Sequence, residues 1–382
     1  MAFDKVVDSA QLNAAMTYTA GRIREKTGET AGIPWNATKG FGDAIDAITA
    51  GSQKQIKVHT EAGAAVTATM GTQSVSGTAG TDGICLLDIP ENGDWTVSAA
   101  SGGMSGTSQV VTVTDVYDVS ISLVSSTLND NSWATIRAVS DIGEGANYWS
   151  VGDCKEVTLN GTVGALSLSN FTTYAFIIGF NHNAALEGDN RIHFQLAKTE
   201  LSGGTDVCLC DFLCDSFSSS TAFSMNPSNT NSGGWDASFM RTEICGTDLT
   251  SYDGTIIAVI PDELRSTLKS ATKYTDNTGN SSEAGAVTAT TDFFFLLSEY
   301  EVFGTLTYAN PNETSKQAQY SYYSAGNSKV KYKHDDKITA SHWWLRSPRA
   351  NSDTAFVIVR RDGTDRYMAA ANSYGFAPGF CV

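Results

Sequence analysis

The chain has 382 residues, enough for two or three domains that each bury a core. Hydrophobic content of 41%, 35 glycines and only 17% charged residues describe a globular, β-rich protein. A net charge of −16 argues against nucleic acid as the main partner, because phosphate binding needs clustered Lys and Arg. The charge is uneven, since five of the eleven arginines lie between Arg346 and Arg366.

The segment Met1 to Asp8 has no basic stretch leading into an apolar one, so synthesis and folding in the cytoplasm are expected. No apolar run approaches the roughly 20 residues of a membrane helix. The seven cysteines sit mostly in apolar contexts, such as Ile84-Cys85-Leu86 and Val207-Cys208-Leu209-Cys210. They read as reduced core residues rather than a disulfide framework.

In chain order, Asp8 and Gln11 form a capping-box pattern, and Leu12, Met16, Thr19 and Ile23 recur at helical spacing until Gly28. This predicts a helix over Ser9 to Lys26. A shorter helical pattern at Phe41, Ala44, Ile45 and Ile48 ends at Gly51. Residues 1–51 are too few for a core of their own and are expected to be a helical attachment segment.

Residues 52–125 are dominated by Thr, Val, Ser, Gly and Ala, with frequent turn signals. Val66, Ala68 and Met70 alternate with threonines, Trp95 and Val97 with Thr96 and Ser98, and Val119, Ile121 and Leu123 with polar residues. This period of two predicts a small Ig-like β-sandwich, and the absence of a cysteine pair flanking Trp95 separates it from antibody domains. A spacer role is the simplest expectation.

Residues 128–382 form the third expected part. Trp235 to Ile244 suits a helix after a glycine turn, Pro261 opens another with Leu264 and Leu268 on one face, and Phe293 to Leu297 reads as a buried strand. The end of the chain carries two apolar anchors: Trp343-Trp344-Leu345-Arg346-Ser347-Pro348, and Gly375 to Val382 with its Phe376, Pro378 and Phe380. Between them the sequence is polar, interrupted only by Phe356-Val357-Ile358-Val359, of which Phe356 and Val359 are expected to point inward by alternation.

The two anchors, with Trp133, Tyr148 to Asp153, Gly233-Gly234-Trp235, Pro261 to Leu264 and Glu301 to Gly304, resemble the DUF6273 family and the variable proteins of diversity-generating retroelements. The resemblance implies a C-type-lectin-like fold over 128–382, so the whole chain is expected to be α+β and β: helical segment, Ig-like sandwich, lectin-like domain. It also implies that the hairpin 343–382 carries a diversified ligand surface. Residues 349–374 contain no Lys, Glu or Gln, types that make up 36 of the 382 residues. Adenine mutagenesis of AAC or AAT codons, as in that family, cannot yield those three. Met368 alone departs from the pattern.

The expected ligand-binding residues are therefore Arg349, Asn351, Ser352, Asp353, Thr354, Arg360, Arg361, Thr364, Asp365, Arg366, Tyr367, Asn372 and Tyr374. Tyr and Arg supply large contact area, and Ser and Asn adaptable hydrogen bonds, as in antibody loops. The phrases around Arg22, Pro34-Trp35 and Gly40 to Ile45 resemble the N-terminal stretch of phage tail proteins. Together these imply a phage tail or virion protein that binds a bacterial surface ligand and joins other tail proteins through its N-terminus. A host-encoded cell-surface protein is the alternative, and a homo-oligomer, with a trimer among its forms, is implied by the retroelement adhesins.

An oxidase of the formylglycine-generating type shares the fold, and Cys208, Cys210, Cys214 or Cys245 would supply its thiols. Their Val, Leu and Phe flanks favour core packing instead. A zinc reading of Cys208, Cys210 and Cys214 lacks a second ligand pair. His182 and His193, with Glu187, Asp189 and Asp206 nearby in sequence, form a possible acid/base or metal grouping, but no catalytic motif supports it. A non-enzymatic binding protein without cofactor or metal is the resulting expectation.

Overall fold

A computed structural model describes residues 54–106, 108–114, 116–215 and 222–382. The helical segment expected over 1–51 lies outside the described residues. The described chain is mostly β with few helices, and it divides into two compact units between Leu123 and Val124. No helix among the described residues is long and apolar enough to cross a membrane.

The first unit contains β1 (Lys54–His59), β2 (Ala65–Met70), β3 (Gln73–Thr78), β4 (Ile84–Ile89), β5 (Gly93–Ser101), β6 (Met104–Gly106), β7 (Gln109–Val113) and β8 (Val116–Ser120). One sheet runs β4-β1-β8 and the other β3-β2-β5-β6, with β7 also paired to β5. Alternate residues of both sheets meet in one core: Ile56 and Val58, Val66 and Ala68, Cys85 and Leu87, Trp95 and Val97. The Trp95 indole N–H donates to the Glu91 carbonyl, which satisfies its one polar atom. A short strand, β9 (Leu123–Ser125), spans the boundary between the units.

In the second unit, α1 (Trp133–Asp141) is capped by Ser132, whose hydroxyl accepts from the Thr135 amide. A five-stranded sheet follows, built from β10 (Cys154–Val163), β11 (Leu166–Phe180) and β12 (Ile192–Lys198), then β22 (Gly379–Cys381) and β16 (Phe294–Phe295). The end of the chain thus lies inside the sheet, between β12 and β16. Trp133 packs edge-on against Phe194 and Phe380. This is why the Pro378-Gly379-Phe380 anchor is buried.

Smaller sheets complete the unit: β13 (Val207–Cys208) with β17 (Lys331–Lys333) and β18 (Ala340–Ser341), the hairpin β14 (Ala271–Asp276) and β15 (Val287–Asp292), and β19 (Trp343–Pro348) with β20 (Ala355–Val359) and β21 (Asp365–Ala369). The helix α2 (Glu299–Phe303) begins with a capping box between Ser298 and Glu301.

Three local expectations change. Gly233 and Gly234 both adopt positive φ and prolong the turn, so the helix expected from Trp235 is confined to a π-helical stretch at Met240–Cys245. Of Phe293 to Leu297, only Phe294–Phe295 pairs, with β22. Every residue of β20 is buried, not only Phe356 and Val359, because this central strand is covered on both faces.

Candidate functional site

The frame of the C-terminal hairpin is built from buried groups. Trp343 and Trp344 are fully buried, and their indole N–H groups donate to the carbonyls of Lys329 (2.9 Å) and Phe223 (2.8 Å). Trp344 N–H donates to Gly375 O, and Gly375 N–H to His342 O, which ties the first anchor to the second. A Cβ at Gly375 would lie 2.3 Å from Cys208 Sγ, so the close approach needs glycine. Arg346 is also fully buried and grips Glu301 through both terminal nitrogens, while its Nε donates to Thr275 Oγ1 (2.8 Å).

On this frame the polar segments reach solvent. Asn351, Asp353, Arg360, Arg361, Thr364 and Arg366 are exposed, and Arg349, Ser352, Thr354, Asp365, Tyr367 and Asn372 are half-buried. Tyr374 departs from expectation. It is 1% exposed, packs edge-on against Trp344 and His342, and its hydroxyl accepts from Asn372 Nδ2, so it belongs to the frame.

Tyr367 is the centre of one cluster. The Arg349 guanidinium lies 3.5 Å from its ring centroid and that of Arg366 4.8 Å, while Tyr308 meets the ring edge-on at 5.1 Å. These contacts hold the long arginine side chains over an aromatic plate, which lowers the entropy they would lose on binding. Arg361 belongs to a different set. Its guanidinium pairs with Asp215 (3.4 Å), whose carboxylate also accepts from Ser341 Oγ and His342 N–H. Arg360 pairs with Asp362, and the Thr364 amide and hydroxyl close the turn on the Asp362 carboxylate, lowering its pKa.

Residues from distant loops position this surface. Asn231, fully buried, donates through Nδ2 to the carbonyls of Ser352 (2.6 Å), Ala355 (3.0 Å) and Arg349 (3.3 Å), fixing the loop between β19 and β20. The Glu299 carboxylate accepts from the amides of Thr307, Tyr308 and Ala309 and so seats Tyr308 beside Tyr367. Burial pushes that carboxyl up to about 7 despite the amides that favour its ionised form. Nothing local in the sequence marks Tyr308, Asp215, Asn231 or Glu299 as parts of the hairpin surface.

Residues 221–382 carry a DUF6273 domain, a domain of unknown function. The matched stretch includes both anchors of the hairpin and all thirteen expected surface residues. No curated protein matches the chain. Among solved structures, a chain of a type II cohesin–X-dockerin complex from Acetivibrio cellulolyticus is 10% identical over 20% of this chain and 60% of that one. Its TM-score of 0.17 is too low to assign a fold.

Beneath the hairpin, the DUF6273 domain shares a buried charge network with the preceding strands. His182, Glu187 and Glu301 offer ligand atoms within 4.8 Å of one another. Lys273, however, already donates to Glu187, Glu301 and the Tyr320 hydroxyl, and Arg346 holds Glu301, so two cations match two carboxylates without an added ion. Burial acts to raise the Glu301 carboxyl, but Arg346 and Lys273 hold it well below the usual range. Burial pushes Glu187 up to about 7 and His182 down to about 3, which leaves the imidazole neutral. His193 contacts Tyr320 and Cys381 in the same interior. Of the grouping expected from sequence, His182, Glu187 and His193 thus come together, while Asp206 pairs with Lys198 and Asp189 lines a separate cleft.

That cleft, about 460 Å³, is lined by Arg137, Asp141, Arg191, Lys269 and Phe293 among others. Its cations are engaged: Arg137 and Lys269 with Asp141, and Arg191 with the Ser270 carbonyl. All seven cysteines are free and buried. Burial raises the thiol pKa of Cys245, as it does that of Cys381, which reaches about 12. Buried, protonated thiols are poor nucleophiles.

Proposed function

We propose that this chain is a receptor-binding or adhesion protein, a phage tail or virion component that recognises a bacterial surface ligand through its C-terminal hairpin. In this reading the first unit is an Ig-like spacer and the second a C-type-lectin-like domain. The exposed hairpin positions are diversified, and Tyr308 joins them as a fixed contact. Host-encoded surface display would use the same surface in the same way.

One observation carries the reading: Arg349, Arg366 and Tyr367 cluster at the surface of a sheet whose central strand, β20, is buried throughout. A rigid apolar frame presenting adaptable polar and aromatic side chains is the usual form of a recognition site.

The test is a library randomised at Arg349, Asn351, Ser352, Asp353, Thr354, Arg360, Arg361, Thr364, Asp365, Arg366, Tyr367 and Asn372, scored for protease resistance and for binding to whole bacterial cells. Most members should fold, and the cells bound should change with these positions. A library that folds but binds the same cells throughout would move the binding site elsewhere.

A further inference from the structure

Cys210 and Cys214 face each other across a short turn that closes through a hydrogen bond from the Cys214 amide to the Asp211 carbonyl (3.1 Å). Their Sγ atoms lie 2.6 Å apart, closer than two unbonded sulfurs rest, while Cys208 Sγ stands 3.9 Å from Cys210. The turn is at the surface, since Phe212 within it is 81% exposed. Cys214, at 8% exposure, is nearer to solvent than Cys210 at 4%.

We propose that Cys210 and Cys214 are a thiol modification site, converted to an intramolecular disulfide by a low-molecular-weight disulfide of the oxidised-glutathione class. The Cys214 thiolate attacks one glutathione sulfur, breaks that S–S bond and releases one glutathione as thiolate. The Cys210 thiolate then attacks Cys214 Sγ in the mixed disulfide, forms the Cys210–Cys214 bond and releases the second glutathione. The two protein thiols give up two protons and two electrons, and the two sulfurs of the glutathione disulfide take them up and leave as two thiols. Contact with neighbouring thiols, together with burial, keeps both cysteines protonated, so the exchange is slow at neutral pH and quickens as pH rises.

The position of the pair gives the bond a consequence. The next residue is Asp215, held at φ +70° by its surroundings. Its carboxylate ties together Lys333 (3.5 Å), Ser341 (3.1 Å), the His342 amide (3.2 Å) and Arg361 (3.4 Å). A disulfide immediately before Asp215 fixes the base on which Arg361 of the hairpin rests.

The experiment treats the full chain with oxidised glutathione, reduces nothing, and maps the linkage by digestion and mass spectrometry, with thiols counted after denaturation. Two of the seven thiols should disappear with a mass loss of two hydrogens, in a linked peptide pair containing Cys210 and Cys214. Cys210→Ser and Cys214→Ser should each abolish the loss, and Cys245→Ser should leave it. The wild-type map decides the question even where a variant fails to fold. A link between Cys208 and Cys210, seven free thiols after prolonged oxidation, or zinc released in stoichiometric amount on thiol labelling would each overturn the proposal.

Discussion

Arg346 holds both oxygens of Glu301 with neither residue exposed to solvent, an ion pair set in the apolar frame directly beneath the hairpin. The guanidinium also donates to Thr275 Oγ1 and to the Leu296 carbonyl. Breaking such a pair from one side leaves an uncompensated buried charge, at a cost of about 3 to 5 kcal/mol. Arg346→Met should therefore lower unfolding stability by that amount in urea titrations. A loss below about 1 kcal/mol, the value of a surface pair, would show that Lys273 alone satisfies Glu301.

Tyr367 and Tyr374 should respond oppositely to removal. Tyr374 is buried against Trp344 and His342, so Tyr374→Ala leaves a cavity and should cost about 3 to 5 kcal/mol. Tyr367 is half-buried under Arg349 and beside Tyr308, so Tyr367→Ala should cost under about 1 kcal/mol of stability. It should nevertheless weaken cell binding by about tenfold or more, the effect of losing an aromatic anchor. Thermal melts and cell-binding titrations of the two variants check this, and equal loss of stability in both would place Tyr367 in the frame.

The contrast shows what the sequence discloses. Trp343, Trp344, Phe376 and Phe380 declare themselves as core by type and spacing, and the strands of the first unit by their period of two. For the run Phe356 to Val359 alternation turns only Phe356 and Val359 inward, whereas all four are buried because β20 is covered on both faces, which alternation along one strand does not show. Tyr374 lies in a polar stretch and gives no local sign that it turns inward. Arg346 likewise carries no mark of its partner, because Glu301 reaches it through long-range packing. Asn231, Glu299 and Tyr308 act on the hairpin from loops far away in the chain, and such contacts have no periodicity to read.

Asn231 is the test of that long-range positioning. It is the donor on which the carbonyls of Arg349, Ser352 and Ala355 converge. Asn231→Ala removes the donor from buried acceptors and should cost about 1 to 3 kcal/mol. Asn231→Asp should cost more, since it sets a carboxylate against the same carbonyls. Denaturant unfolding of the two variants gives the order, and an aspartate variant as stable as wild type would remove Asn231 from this role.

Glu313 provides a test through pH. The side chain is fully buried, and burial pushes its carboxyl up to about 7, although the Asp276 amide, Ser347 and Gln317 all donate to it. In the unfolded chain a glutamate titrates near about 4.3. Between these values the folded state binds more protons than the unfolded state, so this residue's contribution to stability falls as pH rises through the window. A shift of this size corresponds to about 4 kcal/mol once both states are ionised. Glu313→Gln abolishes the titration, at a constant cost wherever an amide fits the donors less well than a carboxyl. The stability of the variant relative to wild type should thus improve from about pH 5 to about pH 7 and level off above it. The buried histidines His182 and His193, whose depressed pKa values lower stability on acidification, act equally in both proteins and cancel in the comparison. Urea unfolding of both proteins at several pH values measures the difference, and a difference that does not vary with pH would mean that Glu313 is ionised in the folded protein throughout.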